Sequence, residues 1–463
     1  MSQSTTQESF QLPPEKDAWK AMFALSLGFF VSLLDQSMVA VALSDIQREL
    51  GASLNQVMWV SAIYLLAVVV PLLLTGRFGD VFGQRRMFRI GMAIFGLAAV
   101  ACALAPTIEI LILARAVQGI GAAMEIPQSM AVINRVFDRT RRGRALGVWG
   151  IIGSVATLAG PIVGGAVVGM FGWHAVFWVH VPFAFAAVIL AGLWVPQLPT
   201  TARSIDYLSV VVSLLAVGAV VFAIQQGPEV GWTWWIWALL AVGIVAGVVF
   251  VRLQARAAAR GVEAMVPLRL FKDRNYSAGS AAIVTMGFMS ASLMLPVMLW
   301  LQTVQGMDAG TVGLVVAPMA IVSFVLSPVA GILADKLDPR VMTGAGFGTL
   351  LVAFVLAWTV MSAGAAGWWL ALPMAVIGVG QSFVWSSNAA TTMRDVSPTL
   401  MGAASGVYNT SRQVGSVIGV AAVSAAMQTG AGAGGIANSL LVIVVMLIVG
   451  LGASLMFRDT LHS

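Results

Sequence analysis

Apolar runs of eighteen residues or more recur from one end of this chain to the other. Wound into a helix rising about 1.5 Å per residue, such a run crosses the roughly 30 Å hydrocarbon core of a bilayer. In oil a backbone amide finds a partner only within a helix or a closed barrel, so repeated runs of this length commit the chain to an all-α integral membrane fold. Bounded by charge, proline or glycine clusters, the runs fall near 18–43, 57–75, 87–105, 108–134, 143–170, 174–195, 205–226, 232–253, 275–303, 308–334, 341–361, 366–392, 401–429 and 436–457. Fourteen spans are therefore expected. Of the 463 residues 59% are hydrophobic and 10% charged, which leaves almost nothing for a soluble domain.

The net charge of +6 invites a nucleic-acid partner, and the positions of the charges reject one. All but Arg48, Arg115 and Arg412 of the 25 Lys and Arg residues fall in every second connection or at the termini. They include Arg77, Arg85, Arg86 and Arg89, the stretch from Arg135 to Arg144, and the stretch from Arg252 to Arg274. The alternate connections carry Asp45, Glu49, Glu109, Glu229 and Asp308. This positive-inside asymmetry places both termini in the cytoplasm and demands an even number of spans. Short loops suggest a bacterial inner (plasma) membrane. Residues 1–17 are polar without a basic n-region, so they read as a disordered tail before an uncleaved first helix. Trp59, Trp173, Trp232, Trp234, Trp235, Trp237, Trp368 and Trp369 fall near expected span ends, where indole rings anchor at the interface.

The chain also resembles itself. Gly76-x-x-x-Asp80 returns 255 residues later as Gly331-x-x-x-Asp335. Gly119-Ile120-Gly121 returns as Gly378-Val379-Gly380, and Gly143-x-x-x-Gly147-Val148 as Gly402-x-x-x-Gly406-Val407, both at an offset of 259. Three ordered matches at nearly one offset point to a duplicated six-helix unit. The expected organisation is a tail 1–17, a six-helix bundle 18–195, an inserted helix pair with its linker 196–274, a second bundle 275–457 and a tail 458–463. Duplicated helical halves commonly enclose a site near the midplane.

Only four charged residues sit inside spans by this reading: Asp35, Arg115, Glu125 and Arg412. A charge at mid-bilayer costs about 2.5–3.5 kcal/mol on insertion scales, so each needs a reason. Counting residues from the outer ends puts Asp35 roughly 12 Å and Arg115 roughly 10 Å deep, at one level, with Glu125 roughly 15 Å deeper along its helix. Two readings stay open. Asp35 and Glu125 are protonatable groups facing a central cavity, or Asp35 is neutralised by Arg115 and Glu125 is held by hydroxyls and backbone. Gln118, Gln128 and Ser129 share the face of Glu125, which gives that helix a polar stripe. In the second half Phe288, Gln302, Trp385, Asn388, Tyr408, Asn409 and Arg412 are the candidate cavity residues.

Two glycine-rich runs stand apart. Gly153, Gly160, Pro161, Gly164 and Gly165 fall within one span, where small residues allow close helix approach and proline bends the helix. Gly76-Arg77-Phe78-Gly79-Asp80-Val81-Phe82-Gly83-Gln84-Arg85-Arg86 is a short connection in which Asp80 could cap a helix and pair with arginines, so Gly76, Asp80, Arg85 and Arg86 read as a conformational latch.

The latch run resembles the signature loop between helices 2 and 3 of the major facilitator transporters, with Val81 and Gln84 standing where basic residues are common. Ala114-Arg115-Ala116-Val117-Gln118-Gly119-Ile120-Gly121 resembles the helix-4 motif of that family, and Gly153 to Gly165 the helix-5 antiporter motif. The run Leu34-Asp35-Gln36-Ser37-Met38 to Leu43, the inserted pair and Asn409-Thr410-Ser411-Arg412-Gln413 resemble the fourteen-spanner drug:proton antiporters. The resemblance covers nearly the whole chain. It implies a major facilitator fold of two six-helix bundles plus two inserted helices, and export by alternating access driven by proton entry. It also implies that Arg115 takes part in coupling and that Asp35 is the shared protonation site. Some members carry an acid in span 13 and this chain has none there, so Glu125 is the candidate replacement.

The expected partners are therefore protons, amphiphilic small molecules and the lipid bilayer, with no obligate protein partner. Lipophilic cations suit a negative, aromatic, Met-rich pocket; an endogenous lipid, siderophore or metabolite is the alternative cargo. No G-x-x-x-x-G-K-S/T run is present, so transport is expected to be secondary. The single Cys102 offers no thiolate metal site, and His174 and His180, six residues apart near an outer helix end, have poor chelate spacing and read as interfacial. No metal, cofactor or enzymatic activity is expected.

Overall fold

The structure is a computed structural model. It describes residues 13–458 except 138, 201–205, 263, 335–336, 398–399 and 431. Among these no strand occurs, and the helices run in chain order as α1 (Glu15–Leu50), α2 (Leu54–Phe82), α3 (Gln84–Ala103), α4 (Ile108–Val136), α5 (Arg139–Phe171), α6 (His174–Trp194), α7 (Tyr207–Gln226) and α8 (Trp234–Ala255). They continue as α9 (Arg274–Ser292), α10 (Met294–Leu299), α11 (Ala309–Ala334), α12 (Pro339–Ser362), α13 (Ala371–Arg394), α14 (Met401–Thr429) and α15 (Gly432–Leu455). A π-helical turn, Trp300–Val304, follows α10, so the expected span 275–303 is one 31-residue rod with a widened last turn. The end of the bundle where α1 begins is called proximal below, and the opposite end distal.

Twelve helices among the described residues are long and apolar enough to cross a membrane. The expected fourteen differ from these by α5 and α14, which are 33 and 29 residues long. Of α5 the described residues include the apolar stretch Ala159–Phe171, and the arginines from Arg139 to Arg144 fall in its proximal turns. Local chemistry sets several helix starts. Ser53 and Gln56 form a reciprocal capping box ahead of α2, Thr107 caps α4, and Asp273 accepts from the Tyr276 amide at 2.7 Å ahead of α9. Gly51, at φ 61°, ends α1 in the left-handed conformation that costs glycine least.

The duplication read from glycine spacing is repeated in the packing. In the first half α3 packs on α4 and α6, α2 on α4, and α1 on α5 and α6. The second half repeats each pair: α12 on α13 and α15, α11 on α13, and α9 on α14 and α15. The paired glycines occupy equivalent close approaches. A methyl group on Gly119 would lie 2.5 Å from the Tyr64 carbonyl oxygen, and one on Gly378 would lie 2.3 Å from that of Met319. Gly121 likewise faces Gly91, and Gly380 faces Gly346. At these crossings glycine is needed because backbone meets backbone.

The bundles meet through α5 against α11 and α2 against α14. The pair α7 and α8 lies outside them. Helix α7 touches α8, α2 and α14, and α8 keeps only 17% of its most apolar window buried. Asn55 and Trp59 of α2 both donate to Gln226 Oε1 at the distal end of α7, at 3.3 and 3.2 Å. At the proximal end Asp206 caps α7 and pairs with Arg260 at 2.5 Å. Burial raises the Asp206 carboxyl, and the hydrogen bonds from Arg260 and Ser209 more than reverse this, holding it below the usual carboxylate range.

Candidate functional site

The depth arithmetic put Asp35 and Arg115 level, and they are joined. Arg115 Nη1 donates to Asp35 Oδ2 at 2.5 Å and to Gln118 Oε1 at 2.7 Å, while its Nε donates to the Val60 carbonyl at 3.2 Å. Gln118 Nε2 closes the ring by donating to Asp35 Oδ1 at 3.1 Å. Because 115 and 118 are three residues apart on α4, both side chains leave the same face. The Tyr64 ring lies 4.1 Å from the guanidinium carbon, and the tyrosine hydroxyl donates to the Ser32 carbonyl at 3.3 Å. Asp35, Arg115, Gln118 and Tyr64 are all fully buried. Asp35 is thus not a bare carboxylate facing a cavity, as one reading had it; in this conformation it is a paired one.

His180 corrects a second expectation. It is fully buried on α6, with Nε2 4.0 Å from Asp35 Oδ1, rather than at an interface. Six residues into α6, it stands roughly 9 Å below the distal helix end, close to the depths counted for Asp35 and Arg115. The same depth count, applied to His180, was the signal that could have found it. Trp173, expected in the interfacial belt, is also buried and donates to Glu49 at 2.9 Å.

Glu125 has no cationic partner among the described residues. It is fully buried; Oε2 receives the Ser129 hydroxyl at 3.2 Å, and Oε1 has no hydrogen-bond partner. Gln128, one turn on, donates to the Thr75 carbonyl at 2.7 Å, and the Thr75 hydroxyl donates to the Ala123 carbonyl at 2.6 Å. The polar stripe of α4 is therefore used to bind α2 at its proximal part. Gly79 is the matching surface, since a methyl group there would lie 1.8 Å from Gln128 Oε1. Gly76 is less constrained, with Pro127 Cβ 3.7 Å from the corresponding position.

The described part of the latch run is anchored on α3 and α6. Gly83, at φ 92°, makes the turn between α2 and α3. Arg85 donates to the Gly192 carbonyl and Arg89 to the Val188 carbonyl at 3.2 Å, so both satisfy the proximal end of α6. Arg86 is exposed and, with Arg85, Arg89, Phe82 and Ile90, lines a surface groove of about 700 Å³. Asp80 lies in α2, and its side chain is outside the described residues, as are those of Gly143, Gly147 and Arg77 and the segment 335–336.

The small residues of α5 serve two neighbours. Methyl groups on Gly153, Gly160 and Gly164 would meet α1, at 2.8 Å from Phe29, 1.8 Å from Ser37 Oγ and 3.1 Å from Met38 Cα. On the other side Gly165 faces the Ala309 carbonyl oxygen at 2.5 Å, and the Pro161 carbonyl oxygen lies 2.9 Å from the position a methyl on Gly313 would take. This α5–α11 contact closes the distal end between the two bundles. Gln302 joins the two bundles at the same end through α1: it donates to the Val41 carbonyl at 3.0 Å and accepts from Ser44 at 2.5 Å.

The candidate residues of the second bundle are brought together only in part. Asn388 Nδ2 donates to Tyr408 Oη at 2.8 Å and to the Gly279 carbonyl at 3.1 Å. Phe288 is buried where α9 meets α14, with Gly419 against its backbone. Trp385, Asn409 and Arg412 are half-buried. No cluster of His, Cys, Asp and Glu able to hold a metal occurs among the described residues.

The profile of the Major Facilitator Superfamily matches residues 25–207 and 203–420. An uncharacterized MFS-type transporter of Mycobacterium tuberculosis (strain ATCC 25618 / H37Rv) is 40% identical over 412 residues, covering 89% of this chain and 71% of the relative. The multidrug resistance protein Stp of Mycobacterium tuberculosis (strain CDC 1551 / Oshkosh) is 31% identical over 409 residues, covering 88% and 75%. Among solved structures, a D-xylose-proton symporter superposes with a TM-score of 0.68 at 13% identity, over 95% of this chain and 97% of that one. That likeness is one of fold.

Proposed function

Because the chain belongs to the Major Facilitator Superfamily of multi-pass membrane transporters, we propose that it is a fourteen-span exporter that exchanges protons for lipophilic, cationic small molecules by alternating access. The observation that carries this reading is the buried ring of Asp35, Arg115 and Gln118. A buried ion pair is poor evidence of stability, since desolvation offsets much of the attraction, so its placement calls for another use. Protonating Asp35 removes the charge that holds Arg115. The guanidinium then keeps the Val60 carbonyl, Gln118 Oε1 and the Tyr64 ring, so breaking the pair leaves no orphaned cation. Helices α1, α2 and α4 meet at this point, so loss of one contact changes their mutual packing.

Glu125 is the second proton site in this account. It has no cationic neighbour among the described residues, and its Oε1 is left without a hydrogen-bond partner, so a proton or a passing cation would satisfy it. Two carboxyls permit two protons per exported monovalent cation, which would add the membrane voltage, about 2.3 kcal/mol per charge per 100 mV, to the pH gradient. The alternating charge of the connections supports both termini in the cytoplasm of a bacterial inner membrane. The resistance named for the relative of 31% identity supports drug-like cargo. The division into bundles 18–195 and 275–457 with the inserted pair 196–274 supports a rocking motion about the α5–α11 and α2–α14 contacts.

The test is dissipation of an imposed pH gradient in proteoliposomes across a panel of cations and neutral amphiphiles. Cation-dependent dissipation that is lost in Asp35→Asn is expected. If Asp35→Asn and Glu125→Gln both retain uphill export and proton exchange, the coupling is wrong. Dissipation by neutral amphiphiles alone would move the cargo to the endogenous, uncharged class.

A further inference from the structure

His180 is fully buried, and neither of its ring nitrogens makes a well-formed hydrogen bond, the Val176 backbone one turn back being within reach of the ring. Native interiors seldom leave two polar atoms of one side chain unmet without a functional reason. Its Nε2 is 4.0 Å from Asp35 Oδ1, and that oxygen already accepts from Gln118. The ring meets Phe95 of α3 edge-on, with centroids 6.2 Å apart, so its packing is apolar on that side and carboxylate-facing on the other. The titratable and charged groups of the cluster it faces are Asp35 on α1, Tyr64 on α2, Cys102 on α3 and Arg115 on α4. The charges of α5 lie in its first turns, from Arg139 to Arg144.

We propose that His180 is a second proton-binding group of this site, exchanging one proton between its Nε2 and Asp35 Oδ1. This rests on the proton-coupled reading of Asp35 and adds a residue to it. With the proton on Nε2, Asp35 remains a carboxylate tied to Arg115. Transfer breaks the N–H bond of the imidazolium, forms an O–H bond on Asp35, restores neutral imidazole and removes the charge that holds the guanidinium. The proton is conserved within the pair, so the ion pair opens only when the proton has moved on from His180. Closing from 4.0 Å to hydrogen-bond length takes about 1 Å, within the 1–2 Å helix shifts of switching proteins. Imidazole is suited to this step because it is the side chain whose ordinary titration lies between pH 5 and 8.

The experiment is a ring-nitrogen NMR titration of the full-length protein carrying 15N-labelled histidine. The chain has three histidines, so removing His174 and His462 leaves the His180 signal alone in a protein that keeps the residue of interest. The expected result is conversion of that signal from neutral toward cationic as the pH is lowered from about 8 to about 5, with the conversion displaced to lower pH by about one unit, tenfold in proton affinity, in Asp35→Asn. A ring that stays one neutral tautomer over this range in both proteins overturns the proposal. Uphill export by His180→Gln is the second readout, with the rate expected to lose its pH dependence over the same range. A pH profile identical to that of the unmodified protein also overturns it. Retained proton-driven export in Asp35→Asn would instead sink the underlying coupling, whatever His180 does.

Discussion

Gly165→Ala should open the distal end. The added methyl would stand 2.5 Å from the Ala309 carbonyl oxygen, 0.9 Å inside the 3.4 Å at which ordinary contact begins. Both surfaces are backbone, so no side chain can swing aside, and the two helices must separate. Overpacking of this kind costs about 1–3 kcal/mol. That cost falls on the state in which α5 and α11 touch, and a state with the distal end parted escapes it, so the ratio of the two shifts roughly 5- to 150-fold. Gly169→Ala is the control on the same helix, because its methyl would meet the Gly310 nitrogen at a tolerable 3.9 Å. The assay is electron–electron distance measurement between spin labels on Leu104→Cys and Ala363→Cys, exposed distal positions of the two bundles, with Cys102 replaced by alanine. Gly165→Ala is expected to populate longer distances and Gly169→Ala to match the parent. Identical distributions for all three would refute the reasoning that the α5–α11 contact holds this end shut.

Gly79→Ala should displace Gln128 from the Thr75 carbonyl and lower the melting temperature, and Gln128→Ala should rescue it, giving a non-additive double-mutant cycle. Arg115→Gln leaves Asp35 a buried charge held only by amides, and should destabilise by about 3–5 kcal/mol. Asp35→Asn should cost less, since Arg115 keeps two acceptors, and thermal melting of the pair of variants checks that order. Asp206→Ala removes both a helix cap and the Arg260 partner, and should cost about 1–2 kcal/mol. Because the folded-state carboxyl of Asp206 is held low, this contribution is present above its ordinary pKa of about 3.9 and is lost as pH falls through the lower folded value. Melting curves of the parent and Asp206→Ala should therefore stay separated at neutral pH and converge only in strong acid.

The architecture was legible because helix length and glycine spacing are local properties. The repeat of Gly119 and Gly121 as Gly378 and Gly380 foretold equivalent crossings, and those crossings exist. Counting rise per residue set Asp35 level with Arg115. What spacing could not supply was azimuth, the direction a side chain takes around its helix once six helices are packed. Gln302 shows this, since spacing alone did not foretell its bond to the Val41 carbonyl of α1, and so does Arg85, whose bond to the Gly192 carbonyl reaches α6. His180 was passed over because a histidine near a helix end looks interfacial until its depth is set beside that of a buried acid on a neighbouring helix. The two helices beyond the twelve, α5 and α14, are 33 and 29 residues long, and in α14 Arg412, Gln413 and small residues lower the apolarity without shortening the helix.

The most direct measurement is the infrared absorption of carboxylic acid groups in the purified protein as pH is lowered and as a cationic substrate is added. Proton binding at Asp35 predicts a protonated-carboxyl band that grows with acid, shrinks on substrate addition and is missing in Asp35→Asn, with a separate band missing in Glu125→Gln. An Asp35 that stays ionised against Arg115 at every pH, with substrate causing no change, would mean that the pair is a fixed strut and that transport draws its energy elsewhere.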